Sequence, residues 1–211
     1  MQSDENMDKF DFLEKAALKM GAINTKVITV DNIYVENRVT LKCQFGCVGY
    51  GKRLTCPPYV PTPNEFRDIL NEYQYALIVK FKSPAKADKD TICSIYKNWL
   101  DPDTPENLKE KTNIFWNEYF DYNKEIHSIM LELEKAAFNN GYTFALAFIN
   151  GSCKLCEVCN TEDGVCIYPT RVRMSEHAVG INMKKTAKEA GMEISIPISE
   201  SPEPVVLLLI D

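Results

Sequence analysis

Two short stretches hold seven of the chain's eight cysteines, and they constrain the fold more than any other feature. The later one reads Cys153-Lys-Leu-Cys156-Glu-Val-Cys159, followed by Cys166 and then Pro169. The earlier one reads Cys43-x3-Cys47-x8-Cys56-Pro57-Pro58, interleaved with Gly46, Gly49 and Gly51. Stretches this rich in Gly, Pro and Cys bury too little apolar surface to order themselves, so something else must organise them. The opening MQSDENMDKF is acidic and has no apolar core, unlike a secretory signal. A cytoplasmic, reducing setting is therefore expected, where clustered thiols hold metals more often than they form disulfides. With only His127 and His177 in the chain, a histidine-rich catalytic zinc site is not expected.

The spacing narrows the metal. Two successive CxxC steps let one tight loop set three thiolates around a corner of an iron–sulfur cube. Ferredoxin-type 4Fe–4S sites add a fourth cysteine further along, followed by proline. Here Cys153, Cys156 and Cys159 fit that pattern, and Cys166 is the candidate fourth ligand. Zinc is the alternative, although it more often takes paired CxxC knuckles. Cys43, Cys47 and Cys56 form the second candidate set. The glycines around them allow backbone N–H groups to approach sulfur atoms or an anion closely. The thiols suffice for two 4Fe–4S clusters, or for one cluster plus a three-cysteine site, or for two sites that exchange a ligand. A three-cysteine cluster would leave one iron open to substrate. Cys93 falls on a predicted helix, where core packing and ligation are both open readings.

The rest of the sequence predicts an α+β fold: one domain, residues 1–211, with a mixed central sheet flanked by helices and two Cys-rich metal-binding loops at 43–59 and 151–169. Helices are expected over Asp8–Met20, from Thr62 to about Tyr73, over Lys86–Leu100, and from Thr104 to Asn140. Thr62-Pro63-Asn64-Glu65 is a capping box with proline at its first position. In the longest helix, Phe115, Tyr119, Tyr122, Ile126, Ile129, Leu133 and Ala136 make the predicted apolar stripe. Asn182 is a candidate cap for a helix ending before Gly191. Strands are expected at Lys26–Val35, Arg38–Leu41, Tyr75–Phe81, Tyr142–Ile149, Glu193–Ile198 and Val205–Ile210. The last is the longest apolar run, too short to cross a membrane. A net charge of −6 argues against a nucleic-acid partner.

Several residues beside the loops are candidates for binding. Arg171 and Arg173 follow the second loop and could neutralise an anionic cluster or grip a carboxylate or phosphate. Lys52, with Arg53, stands in the same relation to the first. His177 is a candidate proton relay or ligand, and more commonly such a residue is a surface histidine. His127, beside the helix stripe, reads as structural. Tyr50, Tyr59 and Tyr168 border the loops and could shield a cluster from water. No GxGxxG, Walker A or GxSxG sequence occurs.

Taken together, LKCQFGCVGYGKRLTCPPYVPTPNEFRDIL, YALIV, GYTFALAFINGSCKLCEVCN and CIYPTRVRMSEHAVGINMKKTAKEAG resemble a family of predicted metal-binding proteins of unknown function, found largely in anaerobic archaea and bacteria. The resemblance runs from about Val39 to Gly191. It implies a metal, most plausibly iron–sulfur, and no particular activity. The expected function is electron transfer or redox metabolism with a redox partner protein. The alternatives are an enzyme with a site-differentiated cluster acting on a small anionic substrate, and a zinc-stabilised binding module.

Overall fold

The structure, a computed structural model, describes residues 7–96, 102–195 and 198–211. Its centre is a four-stranded sheet built from β1 (Asn24–Thr29), β2 (Tyr75–Lys80), β3 (Leu146–Ala147) and β4 (Val205–Ile210), in the order β1-β2-β4-β3. The α+β class is as expected, but the sheet is antiparallel throughout rather than mixed. The reason lies in how the connections close. Thr29 pairs with Tyr75, and Lys80 pairs with Val205. Each long excursion therefore returns to the sheet end it left, as an enlarged hairpin would. Alternation of strand and helix patterns suggests parallel crossovers and does not reveal such a return. The one parallel contact is an isolated bridge between Ile149 and Ser175.

Apolar burial fixes the layers. All six β4 residues are buried, and alternate ones face opposite sides. Val206, Leu208 and Ile210 pack with Leu77 and Val79 against α1 (Asp11–Lys19) and α5 (Glu106–Asn139). Val205, Leu207 and Leu209 pack with Ala76 and Ile78 against α3 (Pro63–Leu70) and α6 (Met183–Glu189). Helices thus cover both faces, which explains why VVLLLI is continuously apolar rather than alternating. Two shorter helices are α2 (Leu41–Gln44) and α4 (Lys89–Tyr96).

Local signals worked best where a named side chain makes the bond. The Thr62 hydroxyl accepts from the Glu65 N–H, and the Glu65 carboxylate accepts from the Thr62 N–H, with Pro63 at the first position of α3. Asn182 caps α6 by accepting from the Lys185 N–H. Gly180 packs where a side chain could not, since a Cβ there would meet Pro63 Cγ at 2.8 Å, and its φ is +90°.

Other expectations fail in instructive ways. Arg38–Leu41 is not a strand but a 3-10 turn (Asn37–Val39) leading into α2. The Thr40 hydroxyl donates to the Asn37 carbonyl at 2.9 Å there, a local bond that competes with a strand ladder. Lys26–Val35 shortens to β1, because a 3-10 turn at Val30–Asn32 breaks it. Only Leu146–Ala147 of Tyr142–Ile149 pairs as a strand. Residues 193–195 and 198 are not in a strand, and 196–197 lie outside the described residues, as do 97–100 of the predicted Lys86–Leu100 helix. The α5 stripe is broader than predicted: Asn123, His127, Met130 and Ala137 are buried beside Phe115, Ile126 and Leu133.

One path brings the two loops together. After β1 the chain runs alongside Ile181, with Val35 bridged to it and the Glu36 N–H donating to the Gly180 carbonyl at 2.8 Å. It thereby reaches the segment that follows the second loop before entering the first.

Candidate metal centre

The first loop starts on α2, which carries Cys43, and continues through a series of turns to Cys56. Backbone bonds hold it: Tyr50 N–H to the Cys47 carbonyl, Gly51 N–H to the Pro57 carbonyl at 2.9 Å, and Cys56 N–H to the Arg53 carbonyl. Gly49 matters for a steric reason. A Cβ there would meet Cys56 Sγ at 3.2 Å, Ser152 Cβ at 3.6 Å and Cys47 Sγ at 3.7 Å. The backbone therefore presses on two thiols and on the neighbouring loop at once, the close approach that glycine permits. Gly46 has no such neighbours.

The second loop leaves the sheet after Ile149 and carries Cys153, Cys156, Cys159 and Cys166. Arg53 ties the two loops together. Its guanidinium donates to the Cys156 carbonyl at 2.7 Å and to the Glu157 carbonyl at 2.8 Å, with Cys156 Sγ 3.9 Å away. A planar fork matched to two successive carbonyls is a use that lysine cannot reproduce. Leu54 N–H also crosses between loops to Cys159 Sγ at 3.4 Å, and Tyr168 N–H donates to Cys166 Sγ at 3.3 Å. Amide-to-sulfur bonds of this kind stabilise thiolates and tune the metals they hold.

The thiols divide into two groups by the charges they feel. Burial pushes the Cys56 thiol up to about 11, with Cys47 and Cys43 adding to the rise. Burial also raises Cys43, helped by Cys47. In the second loop burial raises Cys153, and Cys156 and Cys166 act in the same direction. Cys156 is raised by burial and then by Cys159. Without a cation these four groups stay protonated, so metal uptake must release protons. All eight cysteines are free thiols. Among the described residues, no three His, Cys, Asp or Glu side chains converge closely enough to hold a single ion. A metal would have to draw the thiols in, as is common for sites that form with their metal.

Lys52 is exposed beside the first loop. Arg171 is exposed at a cavity of about 230 Å³ that also touches Ser152, Lys154 and Tyr168 of the second loop. Its carbonyl bonds His127 Nε2 at 2.7 Å, which gives His127 the structural role expected of it. Arg173 turns inward instead. It forms a bidentate ion pair with Glu134 of α5, whose carboxylate also accepts from the Ala147 N–H at 2.7 Å. Cys93 is exposed on α4. Tyr50, Tyr59 and Tyr168 are all exposed at the loops. His177 lies at the edge of a larger cavity with Glu176 and Tyr119.

Two features of the loops escaped the sequence. Arg53 was visible only as a basic neighbour of Lys52; its bridging role needs the second loop in place. Lys154 lies over the Phe120 ring, 4.6 Å from its centre, and its ammonium senses Cys47 and Cys56 of the other loop. Nothing local in Cys-Lys-Leu-Cys announces that contact.

Among the described residues no helix is long and apolar enough to cross a membrane. Comparison with known proteins finds no match among curated proteins and none among solved structures. A family model described as "Predicted metal-binding protein (DUF2284)" matches residues 26–210, a span that contains both loops and the whole sheet. The chain belongs to this family of predicted metal-binding proteins.

Proposed function

We propose that the chain is an iron–sulfur protein that transfers electrons in redox metabolism. In this reading Cys153, Cys156, Cys159 and Cys166 hold one 4Fe–4S cluster, and Cys43, Cys47 and Cys56 hold a second. The observation that carries it is the pairing of the loops through Arg53 and the Leu54 N–H to Cys159 Sγ bond. That pairing sets two groups of soft thiol ligands side by side, each facing its own members. A bound cluster would supply one-electron chemistry at a potential set by hydrogen bonds and solvent access. The chain's own part is to hold the sulfurs, donate N–H bonds to them, and offset their charge with Arg53 and Lys154. Arg171 and Lys52 stand at the margins, where a docking redox partner or an anion would meet them.

A second reading has a specific observation behind it. The first loop offers three thiols, so a cluster there would have one iron without a protein sulfur, open to a small anionic substrate. The test for both is anaerobic purification followed by iron, zinc and acid-labile sulfide analysis. About eight irons with matching sulfide are expected for two clusters. A spectral change on adding small anions would favour the enzyme over the carrier. Zinc without sulfide would overturn both and leave a zinc-stabilised module.

A further inference from the structure

A cavity of about 440 Å³ lies between the roots of the two Cys-rich loops. Lys42, next to Cys43, lines it, and so does Asn150, three residues before Cys153. The size suits a small organic molecule. Its walls include apolar Val39, Met183 and Val205.

The polar groups within it are unusual. Glu176 is 1% exposed, and its Oε1 has no hydrogen-bond partner among the described residues. A buried polar atom left unpaired is destabilising, and a partner in the cavity would relieve that. Burial pushes the Glu176 carboxyl up to about 8, against the pull of the backbone amides of Glu176 and Leu207. The protonated form that burial favours can donate a hydrogen bond. Tyr119 lines the same cavity, and its hydroxyl oxygen accepts from Asn150 Nδ2 at 2.6 Å. That leaves the hydroxyl proton free to donate.

The lining also carries positive charge. Lys42 and Lys184 are exposed, and neither makes an ion pair among the described residues. The other lining carboxylate, Glu203, is matched by Lys80 at 2.6 Å. Arg38 is matched by Glu36 at 2.6 Å. The cavity thus combines two unpaired ammonium groups, neutral donors and apolar walls.

We propose that this cavity binds a small oxo- or hydroxycarboxylic acid. Its carboxylate meets Lys42 and Lys184, and its carbonyl or hydroxyl oxygen takes hydrogen bonds from Glu176 and Tyr119. The pattern matches that class because a carboxylate answers the ammonium groups and a neutral oxygen acceptor answers the buried donors. The site stands whatever metal the loops hold.

The test is calorimetric titration of the full chain with pyruvate, 2-oxoglutarate and 4-oxopentanoate, with the methyl ester of 4-oxopentanoate as the uncharged control. Saturable binding of at least one acid is expected, with no binding of the ester. Lys184→Glu should weaken that binding about tenfold or more, as loss of one charge-assisted contact does. Lys184 is exposed on α6, so this variant keeps the test open if Glu176→Ala fails to fold. Where Glu176→Ala folds, it should also weaken binding. No binding of any of the three acids, equal binding of the ester, or unchanged affinity in Lys184→Glu would each overturn the proposal. Heat of binding is read independently of iron, so failure here is separable from failure of the iron–sulfur reading.

Discussion

The sheet and the paired loops are ordered by opposite means. In the sheet, Leu207, Leu208 and Leu209 are fully buried and make no use of their side chains beyond packing. At the loops, Phe45 and Val158 are each 84% exposed, while the thiols of Cys56 and Cys153 are buried. Apolar surface is spent inside one region and left outside in the other. Where apolar burial does not hold a segment, its order must come from directed contacts: the Arg53 fork, N–H to sulfur bonds, and the metal the thiols would take. The sheet should then be indifferent to the metal, and the loops indifferent to modest losses in the core.

The largest expected effect tests that separation from the loop side. Cys156→Ser should remove nearly all metal of its set while leaving far-UV circular dichroism unchanged. Parallel loss of the helical signal would show that the two regions fold as one. The next test comes from the sheet. Leu208→Ala should cost about 2–5 kcal/mol in urea unfolding, the range for a large apolar side chain removed from a packed core. Metal bound per folded chain should not change, and if it falls the loops depend on the core more closely than their contacts suggest.

A third prediction concerns Glu176, whose buried carboxyl meets the backbone of Leu207 in the sheet. Its folded-state pKa of about 8 lies above the ordinary 4.5. The folded state therefore keeps a proton that the unfolded state releases between those values. Stability from this group falls as pH rises through that window, by up to about 1.4 kcal/mol per pH unit. Glu176→Gln cannot titrate and should abolish the decline, read as denaturation midpoints at about pH 5 and about pH 8. The smallest effect belongs to Thr62→Ala. Losing the cap of α3 should cost about 1 kcal/mol with no effect on metal content.

The sequence was most legible where structure is made by neighbours. The Thr62–Glu65 box, the Asn182 cap and the buried run Val205–Ile210 are all properties of a few adjacent residues. Legibility declined where distant segments decide. Arg173 reads as a free cation beside the second loop, yet Glu134, 39 residues away, takes it into an ion pair. Arg53 looks like a solvated companion of Lys52 until the second loop arrives with two carbonyls. Glu176 gives no local sign at all, because its raised pKa comes from burial that only the assembled fold provides. Arg38–Leu41 shows the reverse error: a strand-like pattern was overruled by a turn one residue earlier.

The aromatic face of α5 gives this protein an optical handle. Trp116 stacks on Phe120, ring centres 5.2 Å apart, and Phe120 in turn carries the Lys154 ammonium of the second loop. Were the loop to hold a strongly absorbing iron–sulfur cluster, the indole would lose fluorescence to it by energy transfer. The chain has two tryptophans, so Trp99→Phe would leave Trp116 as the sole emitter. Its brightness would then follow, in real time, the loading and loss of a coloured cluster, and zinc would leave it bright.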